Sequence, residues 1–308
     1  MGGLSHLRIG SRGSQLALWQ ANFVAGELRA QGHEVSIEII RTTGDAMQSL
    51  TFSQVGTKGM FTKEIEDALA DGRIDLAVHS LKDLPTSLAG PFTLAAFPKR
   101  ADASDVFVSE RYESFAALPQ GARVGTSSLR RRAQLLAQRR DLEYVELRGN
   151  VDTRLRKLAE GQVEGIILAA AGLERLNRTE YVREKFPALV LCPAAGQGAL
   201  AIETRADDAE TIEALGFLDD SITRFAVTAE RTALAALGGG CQVPIGILCE
   251  PTNEGFMIAG VVSTPDGSSI LRAEIEHQKD ATPEALGERL AGELLEQGAG
   301  LLLRATLP

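Results

Sequence analysis

The sequence has few cysteines, few histidines and no long hydrophobic run, and each shortage argues against a class of protein. Three cysteines are too few, and odd in number, for a disulfide scaffold. Four histidines and no Cys-x-x-Cys pair argue against a metal site. No apolar stretch approaches the roughly 20 residues that span a membrane. We therefore expect no structural disulfides, no resident metal and no membrane-spanning segment.

An overall excess of positive charge is also missing. The 308 residues include 32 lysines and arginines against 41 acidic residues, for a formal net charge of −9. Proteins that bind nucleic acid hold its phosphates with a wide basic surface, so we expect no nucleic-acid partner. The Gly-rich start has no basic-then-apolar signal segment, which favours the cytoplasm. Length and a hydrophobic fraction of 44% indicate a globular chain of two or three domains.

The positive charge that is present is concentrated between Arg123 and Lys157, a stretch that we call the arginine island. It contains ten basic and four acidic residues, a net charge of +6. The guanidinium group presents a planar fork of donors that suits carboxylates and phosphates. The island therefore indicates a small ligand with several negative charges. A solvated helix face is the alternative interpretation.

Hydrophobic periodicity predicts alternating strands and helices in the first hundred residues. The predicted elements are a strand at 7–11, a helix capped by Ser14 and ending at Gly32, a strand at 35–39, a helix at 61–70 and a buried strand at 74–78. This alternation implies an open, mostly parallel sheet with helices on both faces.

The opening pattern recurs about 115 residues later, because Arg8-Ile9-Gly10-Ser11 corresponds to Arg123-Val124-Gly125-Thr126. Each segment is followed by a serine and a long amphipathic helix. We therefore predict two lobes of similar build, the second continuing with a strand at 144–147, a helix at 150–160 and a strand at 165–169. Such lobes bind ligands at the carboxyl ends of their strands, beside helix N-termini.

The pattern changes after about residue 220, where a small α+β domain is predicted. Its expected elements are a helix at 221–237, a loop at 238–244, strands at 245–250, 256–262 and 269–276, a helix at 283–297 and a final strand near Leu301. Residues 98–103 and 195–198 are predicted to cross between the two lobes.

The start of the helix after Gly125 is the first candidate site. Thr126, Ser127 and Ser128 are followed directly by arginines, and hydroxyls, free N–H groups and guanidinium groups together suit carboxylates or phosphates. Arg148 ends the next strand and Arg154 lies in the helix beyond, so both can face the same cleft. These arginines favour an anion site over an ordinary helix cap with a charged turn.

Two loops supply further candidates. Lys82 and Asp83 follow the buried strand at 74–78, where α/β proteins keep catalytic groups, although a solvated turn explains the spacing equally well. Cys241 follows three glycines and precedes Pro244, as expected for a cysteine presented from a loop. Cys192 and Cys249 are interpreted as small buried side chains.

Eight stretches in the same order resemble the porphobilinogen deaminase, or hydroxymethylbilane synthase, family. They are residues 8–20, 58–64, 77–86, 124–135, 147–158, 166–176, 193–203 and 239–246. The resemblance covers nearly the whole chain. It implies an enzyme that joins four porphobilinogen molecules head to tail, with release of ammonia, into a linear tetrapyrrole. It also implies a covalent dipyrromethane cofactor that primes the chain.

The resemblance assigns roles residue by residue. The cysteine that holds the cofactor by a thioether matches Cys241, and the catalytic aspartate matches Asp83. Residues that match cofactor contacts are Lys82, Thr126, Ser128, Arg130 and Arg131. Residues that match substrate contacts are Arg12, Ser14, Lys58, Arg148, Arg154 and Arg175. Gln54 and Gly238 depart from the family pattern, which commonly has Lys and an acidic residue there.

We accordingly expect an α/β fold with two similar doubly wound lobes, of the periplasmic-binding-protein-like kind, plus a small α+β third domain. The expected boundaries are 1–99 with 198–219 for lobe one, 100–197 for lobe two and 220–308 for the cofactor domain. A cytoplasmic monomer that acts on porphobilinogen, without nucleic acid or membrane, fits this interpretation. A two-lobed solute-binding protein and a Cys-dependent hydrolase are the alternatives.

Overall fold

The computed structural model describes residues 6–42, 62–239, 243–276 and 281–304. Gln54, Lys58 and Cys241, for which the sequence suggests a role or a departure from the family pattern, lie outside these ranges. The chain divides into two compact units. Unit one comprises Met1–Arg100 and Ala199–Arg224, and unit two comprises Ala101–Gly198 and Phe225–Pro308.

The described residues form strands and helices in alternation. The strands are β1 (His6–Ser11), β2 (Glu34–Ile39), β3 (Leu76–Ser80), β4 (Phe92–Ala96), β5 (Asp105–Val108), β6 (Arg123–Gly125), β7 (Glu143–Val145), β8 (Gly165–Ala169), β9 (Val182–Lys185), β10 (Leu200–Arg205), β11 (Ile245–Thr252), β12 (Gly255–Ser263) and β13 (Ile270–Glu276). The helices are α1 (Gln15–Ala30), α2 (Lys63–Ala70), α3 (Leu129–Leu136), α4 (Val151–Ala159), α5 (Ala170–Arg175), α6 (Ala209–Leu215), α7 (Ser221–Ala236), α8 (Pro283–Glu296) and α9 (Ala299–Arg304). Single 3₁₀ turns occur at Leu81–Asp83, Thr179–Tyr181 and Gly216–Leu218.

Unit one contains a five-stranded sheet in the order β2-β1-β3-β10-β4. β1 pairs in parallel with β2 and β3, whereas β10 is antiparallel to both of its neighbours. Four of the five strands therefore run in one direction, as the sequence predicts, and β10 is the exception. Apolar side chains of α1 and α6 cover one face of the sheet, and those of α2 cover the other.

Unit two repeats this topology in a sheet of order β7-β6-β8-β5-β9. Here β6 is parallel to β7 and β8, and β5 is the antiparallel strand. In each lobe the antiparallel strand is the one that follows a predicted crossing segment. The predicted pair of similar lobes is therefore confirmed, and the two sheets also share the position of a reversed strand, which the sequence did not predict.

Side-chain caps begin the helices that the sequence predicts. The hydroxyl of Ser14 accepts the N–H of Ala17 at 3.3 Å at the start of α1, and that of Ser128 accepts the N–H of Arg131 at 3.4 Å at the start of α3. The side chain of Asn150 accepts the N–H of Thr153 at 2.9 Å at the start of α4. These caps satisfy N–H groups that have no partner inside the helix.

The remainder of unit two is a small α+β domain built on the antiparallel sheet β11-β12-β13. Apolar side chains of α7, α8 and α9 pack on this sheet. The predicted final strand near Leu301 is wrong, because the segment is helix α9. Ala299 and Leu303 are buried four residues apart while Leu301 is 68% exposed, which is helical periodicity. The predicted fold class, two similar lobes with a small third domain, is confirmed.

Candidate active site

In unit one, the carboxyl ends of β1 and β3 lie side by side, since these strands are parallel neighbours. Arg12 and Ser14 follow β1, and Lys82 and Asp83 follow β3. A pocket at this edge of the sheet is lined by Arg12, Ser14, Leu16, Ala17, Gln20, Thr62, Ile65, Val78, His79, Ser80, Asp83 and Leu84. The structure therefore brings Arg12, Ser14 and Asp83 together, and Lys82 is adjacent to Asp83 in the turn.

Asp83 ends the 3₁₀ turn Leu81–Asp83, and its side chain is exposed. Leu81 and Leu84, on either side of it, are buried, and the N–H of Leu81 donates to the carbonyl of Ala199 at 3.1 Å. Within the described ranges no hydrogen bond is made by the Asp83 carboxylate. An anchored backbone thus presents an anionic side chain that is open to a ligand.

Behind this pocket lies a buried pair of titratable side chains, His79 and Glu203. Nε2 of His79 is 2.8 Å from Oε2 of Glu203, and the two side chains are 8% and 0% exposed. His79 is opposite Ala201 in the antiparallel β3–β10 ladder, which places the histidine diagonally from Glu203 on the same face. On the other side of the pocket, Nε2 of Gln20 donates to Oγ of Ser80 at 2.8 Å and joins α1 to β3.

In unit two, the first candidate site is at the carboxyl ends of β6 and β7, which are parallel neighbours. The N–H of Thr126 donates to the carbonyl of Val145 at 2.9 Å, and Oγ1 of Thr126 accepts the N–H of Ser128 at 3.2 Å. The loop after β6 is therefore fixed against the end of β7. Arg148 and Arg154, which lie after β7, are half-buried and belong to the same edge of the sheet.

Arg130 and Arg131 are buried, and both bind the carboxylate of Asp105. Nη1 of Arg130 is 2.7 Å from Oδ2, whereas Nε and Nη2 of Arg131 are 3.0 and 2.7 Å from Oδ1. Burial alone would raise the pKa of Asp105, but the two guanidinium charges and their hydrogen bonds outweigh it and hold that pKa well below its usual range. Nε2 of Gln197 also donates to Oδ1, at 2.9 Å.

Backbone carbonyls complete the surroundings of these two arginines. Nη1 of Arg130 donates to the carbonyl of Cys192 at 2.6 Å, and Nη1 of Arg131 donates to the carbonyl of Ile167 at 2.9 Å. The helix α3 is thereby attached to β5 and β8 through charged side chains. Burial of Cys192 raises the pKa of its thiol to about 12, which agrees with its interpretation as a small core residue.

Other members of the arginine island make local contacts at the surface. Arg148 pairs with Glu146 at 2.5 Å, Arg139 with Asp141 at 2.7 Å and Arg156 with Glu160 at 3.6 Å. Nε of Arg154 donates to the carbonyl of Gly149 at 2.8 Å. Arg132, which follows Arg130 and Arg131 in α3, is exposed. The island is thus a mixture of a buried ionic cluster, half-buried edge residues and solvated pairs.

Arg175 lies at the end of α5 beside the crossing segments. Its Nη2 donates to the carbonyl of Gly198 at 2.7 Å, and the N–H of Ala101 donates to the same carbonyl at 3.2 Å. Gly198 has φ of +84°, and a Cβ there would be 2.6 Å from the carbonyl oxygen of Ala101, so no other residue fits without movement. Burial lowers the pKa of Arg175 to about 10, which leaves it charged at neutral pH.

Asp105 and Glu203 are the residues that sequence reasoning missed. Asp105 precedes the apolar residues 106–108 and Glu203 follows the apolar residues 200–202, and an acidic residue next to such a run is the only local signal. Their partners are 25 and 124 positions away in the chain.

No cluster of three or more His, Cys, Asp or Glu side chains suited to a metal occurs in the described part of the chain. The helices described there include none long and apolar enough to cross a membrane.

Two family models match the chain. One, described as "Porphobilinogen deaminase, dipyromethane cofactor binding domain", matches residues 7–213, and the other, "Porphobilinogen deaminase, C-terminal domain", matches residues 224–296. The chain belongs to the porphobilinogen deaminase family. The family resemblance expected from the eight sequence stretches is therefore confirmed.

Curated relatives agree over almost the whole length. The porphobilinogen deaminase of Desulforudis audaxviator is 51% identical over 297 residues, which are 96% of each protein. That of a Roseiflexus species is 49% identical over 96% of this chain and 98% of the relative. Membership of the porphobilinogen deaminase family sets aside the solute-binding protein and the Cys-dependent hydrolase.

Among solved structures, the methionine binding protein MetQ is similar, with a TM-score of 0.44 and 14% identity. The match covers 69% of this chain and 89% of MetQ. At this TM-score and sequence identity, the similarity supports no further conclusion.

Proposed function

We propose that this chain carries out the porphobilinogen deaminase reaction with Asp83 as its catalytic carboxylate and with the basic residues of both lobes as carboxylate-binding groups. The reaction joins four porphobilinogen molecules into the linear tetrapyrrole hydroxymethylbilane and releases one ammonia for each. The observation that supports the site most strongly is the exposed Asp83 carboxylate on an anchored turn, at the edge of a pocket that Arg12 and Ser14 also line.

The donors present suit the dipyrromethane cofactor of this family. Its pyrrole rings carry acetate and propionate groups, and carboxylates are best satisfied by guanidinium and hydroxyl donors. Thr126 lies in the loop before α3, Ser128 caps that helix and the arginine pair at 130 and 131 lies in its first turn, while Lys82 lies beside Asp83. We propose these residues as the cofactor-binding set. When bound through a thioether to Cys241, the cofactor supplies the primer to which the growing chain is attached.

Asp83 is suited to the repeated chemical step. Departure of the aminomethyl nitrogen leaves a positive charge on the pyrrole, and a fixed carboxylate beside it lowers the energy of that cation. The anchored turn needs no rearrangement to present the carboxylate, which is the condition for preorganised electrostatic stabilisation. Cys241, in contrast, acts as an anchor that is not regenerated between cycles.

The remaining basic residues of the site, together with Ser14, are proposed to hold substrate carboxylates. This set consists of Arg12, Ser14, Lys58, Arg148, Arg154 and Arg175. Half-burial of Arg148 and Arg154 favours this role, because a guanidinium group that is partly out of water binds a carboxylate more strongly than an exposed one does. Each additional porphobilinogen brings two more carboxylates, so a wide basic edge is useful.

We further propose that the protein works as a cytoplasmic monomer on a small-molecule substrate and without nucleic acid. The net charge of −9 supports the last point. We also propose that the chain functions as three domains. These are lobe one (1–99 with 198–219), lobe two (100–197) and a cofactor domain (220–308). Light scattering at several protein concentrations measures the molecular mass in solution and so tests whether the protein is a monomer.

Turnover of porphobilinogen by the purified protein tests the proposed function. We expect one ammonia released per porphobilinogen consumed and a linear tetrapyrrole as product. Asp83→Asn should abolish most of both signals, while Asp207→Asn, an exposed aspartate of the same unit, should leave them unchanged. Absence of ammonia release by wild-type protein that carries its cofactor would contradict the proposal.

A further inference from the structure

Each coupling cycle must remove a proton from carbon as well as release an amine. The C–N bond of one pyrrole breaks and the nitrogen leaves with the bonding pair. A ring carbon of the second pyrrole then forms the new C–C bond. Its C–H bond breaks last, returning the electron pair to the ring and giving up a proton. The released ammonia can finally take that proton, so the cycle balances.

Asp83 is poorly suited to hold this proton while it stabilises a cation. A carboxylate that accepts a proton loses the charge for which it is needed, and general-base catalysis is therefore better assigned to a second group. The pocket that Asp83 lines contains one other residue with a basic nitrogen suited to this task, His79.

We propose that His79, positioned by Glu203, accepts the proton released from the pyrrole carbon in each coupling step. This inference rests on the proposed function and adds a second proton-transfer group to its site. Nε2 of His79 faces Oε2 of Glu203 at 2.8 Å. In this proposal Oε2 of Glu203 accepts the hydrogen bond, so Nε2 carries the hydrogen and Nδ1 is the basic nitrogen of the ring.

Burial of Glu203 supports a role beyond joining two strands. The side chain is 0% exposed, and its second oxygen, Oε1, has no hydrogen-bond partner among the residues described. A buried carboxylate oxygen without a partner is destabilising, so its presence calls for an explanation other than stability. A carboxylate that orients an imidazole and stabilises the imidazolium formed on proton uptake provides one.

The surrounding charges are compatible with proton uptake by His79. Glu66 on α2 interacts electrostatically with both Glu203 and His79, and burial, followed by the charge of Glu203, raises the pKa of Glu66. The charge of His79 acts in the opposite direction. Asp83 and Arg12 line the same pocket as the histidine. Acidic groups on β10 and α2 therefore favour a transient positive charge on the ring.

The first test uses His79→Gln, because glutamine can still donate to Glu203 but cannot act as a base. We expect turnover to fall by about 10²-fold or more, the usual contribution of general acid–base catalysis. With porphobilinogen deuterated at its free ring carbon, the variant should show a primary isotope effect that wild type lacks, because C–H cleavage becomes rate-limiting. His6→Gln, at an exposed histidine of β1, is the matched control.

The second test adds a measurement of the histidine tautomer, which needs no turnover, and a variant of Glu203. The chain has only four histidines, so ¹⁵N-labelled imidazole signals of the purified protein can be assigned with His79→Gln. We expect the neutral His79 ring to carry its hydrogen on Nε2, and Glu203→Gln to lower turnover with the same isotope effect. A hydrogen on Nδ1, or a slow His79→Gln variant with no isotope effect, would overturn the inference. If wild-type protein itself released no ammonia, the proposed function would fail instead.

Discussion

Arg131 donates from both Nε and Nη2 to a single carboxylate oxygen, Oδ1 of Asp105, at 3.0 and 2.7 Å. Asp105 is fully buried and begins β5, the strand that runs against its neighbours. The basic residue that sequence reasoning assigns to ligand binding is thus also part of the interior of lobe two. A guanidinium group held this firmly is preorganised, so little entropy is lost when a further carboxylate binds to it.

Asp105→Asn should destabilise unit two strongly. Removing one partner of a buried ionic cluster leaves charge without compensation, at a cost of about 3 to 5 kcal/mol. Urea unfolding followed by circular dichroism should show a lower midpoint with an unchanged slope. Glu160→Gln, which breaks the exposed pair with Arg156, is the control and should change stability by less than about 0.5 kcal/mol. If the two variants lost equal amounts of unfolding free energy, the buried cluster would contribute no more to stability than an exposed ion pair does.

The same carboxylate predicts a pH dependence of stability. The pKa of Asp105 is depressed in the folded protein relative to about 3.9 in an unfolded chain. Its contribution is therefore present above about pH 4 and is lost as the pH falls toward the folded value. The difference in unfolding free energy between wild type and Asp105→Asn should be constant at higher pH and shrink below about pH 4. A difference that stays constant in acid would contradict this assignment.

Leucine substitutions should separate the buried arginines from those at the edge. Replacing Arg130 or Arg131 should reduce both unfolding stability and activity, whereas replacing Arg148 or Arg154 should reduce activity with little change in stability. Each lost charge-assisted hydrogen bond is worth roughly 1.5 to 3 kcal/mol of ligand binding. Steady-state kinetics at several ionic strengths, with urea unfolding in parallel, measure the two effects. Normal activity and salt dependence in all four variants would mean that these arginines do not bind the ligand.

Substitutions of Asp83 should affect chemistry and not folding. Asp83→Asn keeps the shape but removes the charge, so turnover should fall on the order of 10²-fold or more. Asp83→Glu should retain a little activity, because the carboxylate survives but is displaced by one methylene. Stability should be unchanged since the side chain is exposed. Turnover by Asp83→Asn within a few fold of wild type, with the cofactor assembled, would place the essential charge elsewhere.

Much of this fold could be predicted from local patterns. The repeat of Arg8-Ile9-Gly10-Ser11 at Arg123 predicts two similar lobes, and Ser14, Ser128 and Asn150 are the caps that the periodicity implies. The apolar run near Leu301 was ambiguous, because a short run suits a strand or a buried helix equally well. Ala299 and Leu303 both pack against the third-domain sheet, and this packing stabilises the segment as a helix.

Sequence reasoning could not supply the partners of the charged residues. Asp105 meets Arg130 and Arg131, and Glu203 meets His79, only because β5 and β10 enter their sheets in the reverse direction. Strand order is a long-range property that no local spacing encodes. Without it, the arginine pair is assigned to ligand binding alone, and His79 is assigned no role.

The intact mass of the purified, active protein tests the central claim most directly. A porphobilinogen deaminase that carries its own primer should exceed its sequence mass by two linked pyrroles, and peptide mapping should place the added mass on Cys241. Cys241 should then resist alkylation, and Cys241→Ser should fold but remain inactive. A fully active protein whose mass equals that of the sequence, with Cys241 free to react with a thiol reagent, would contradict the account.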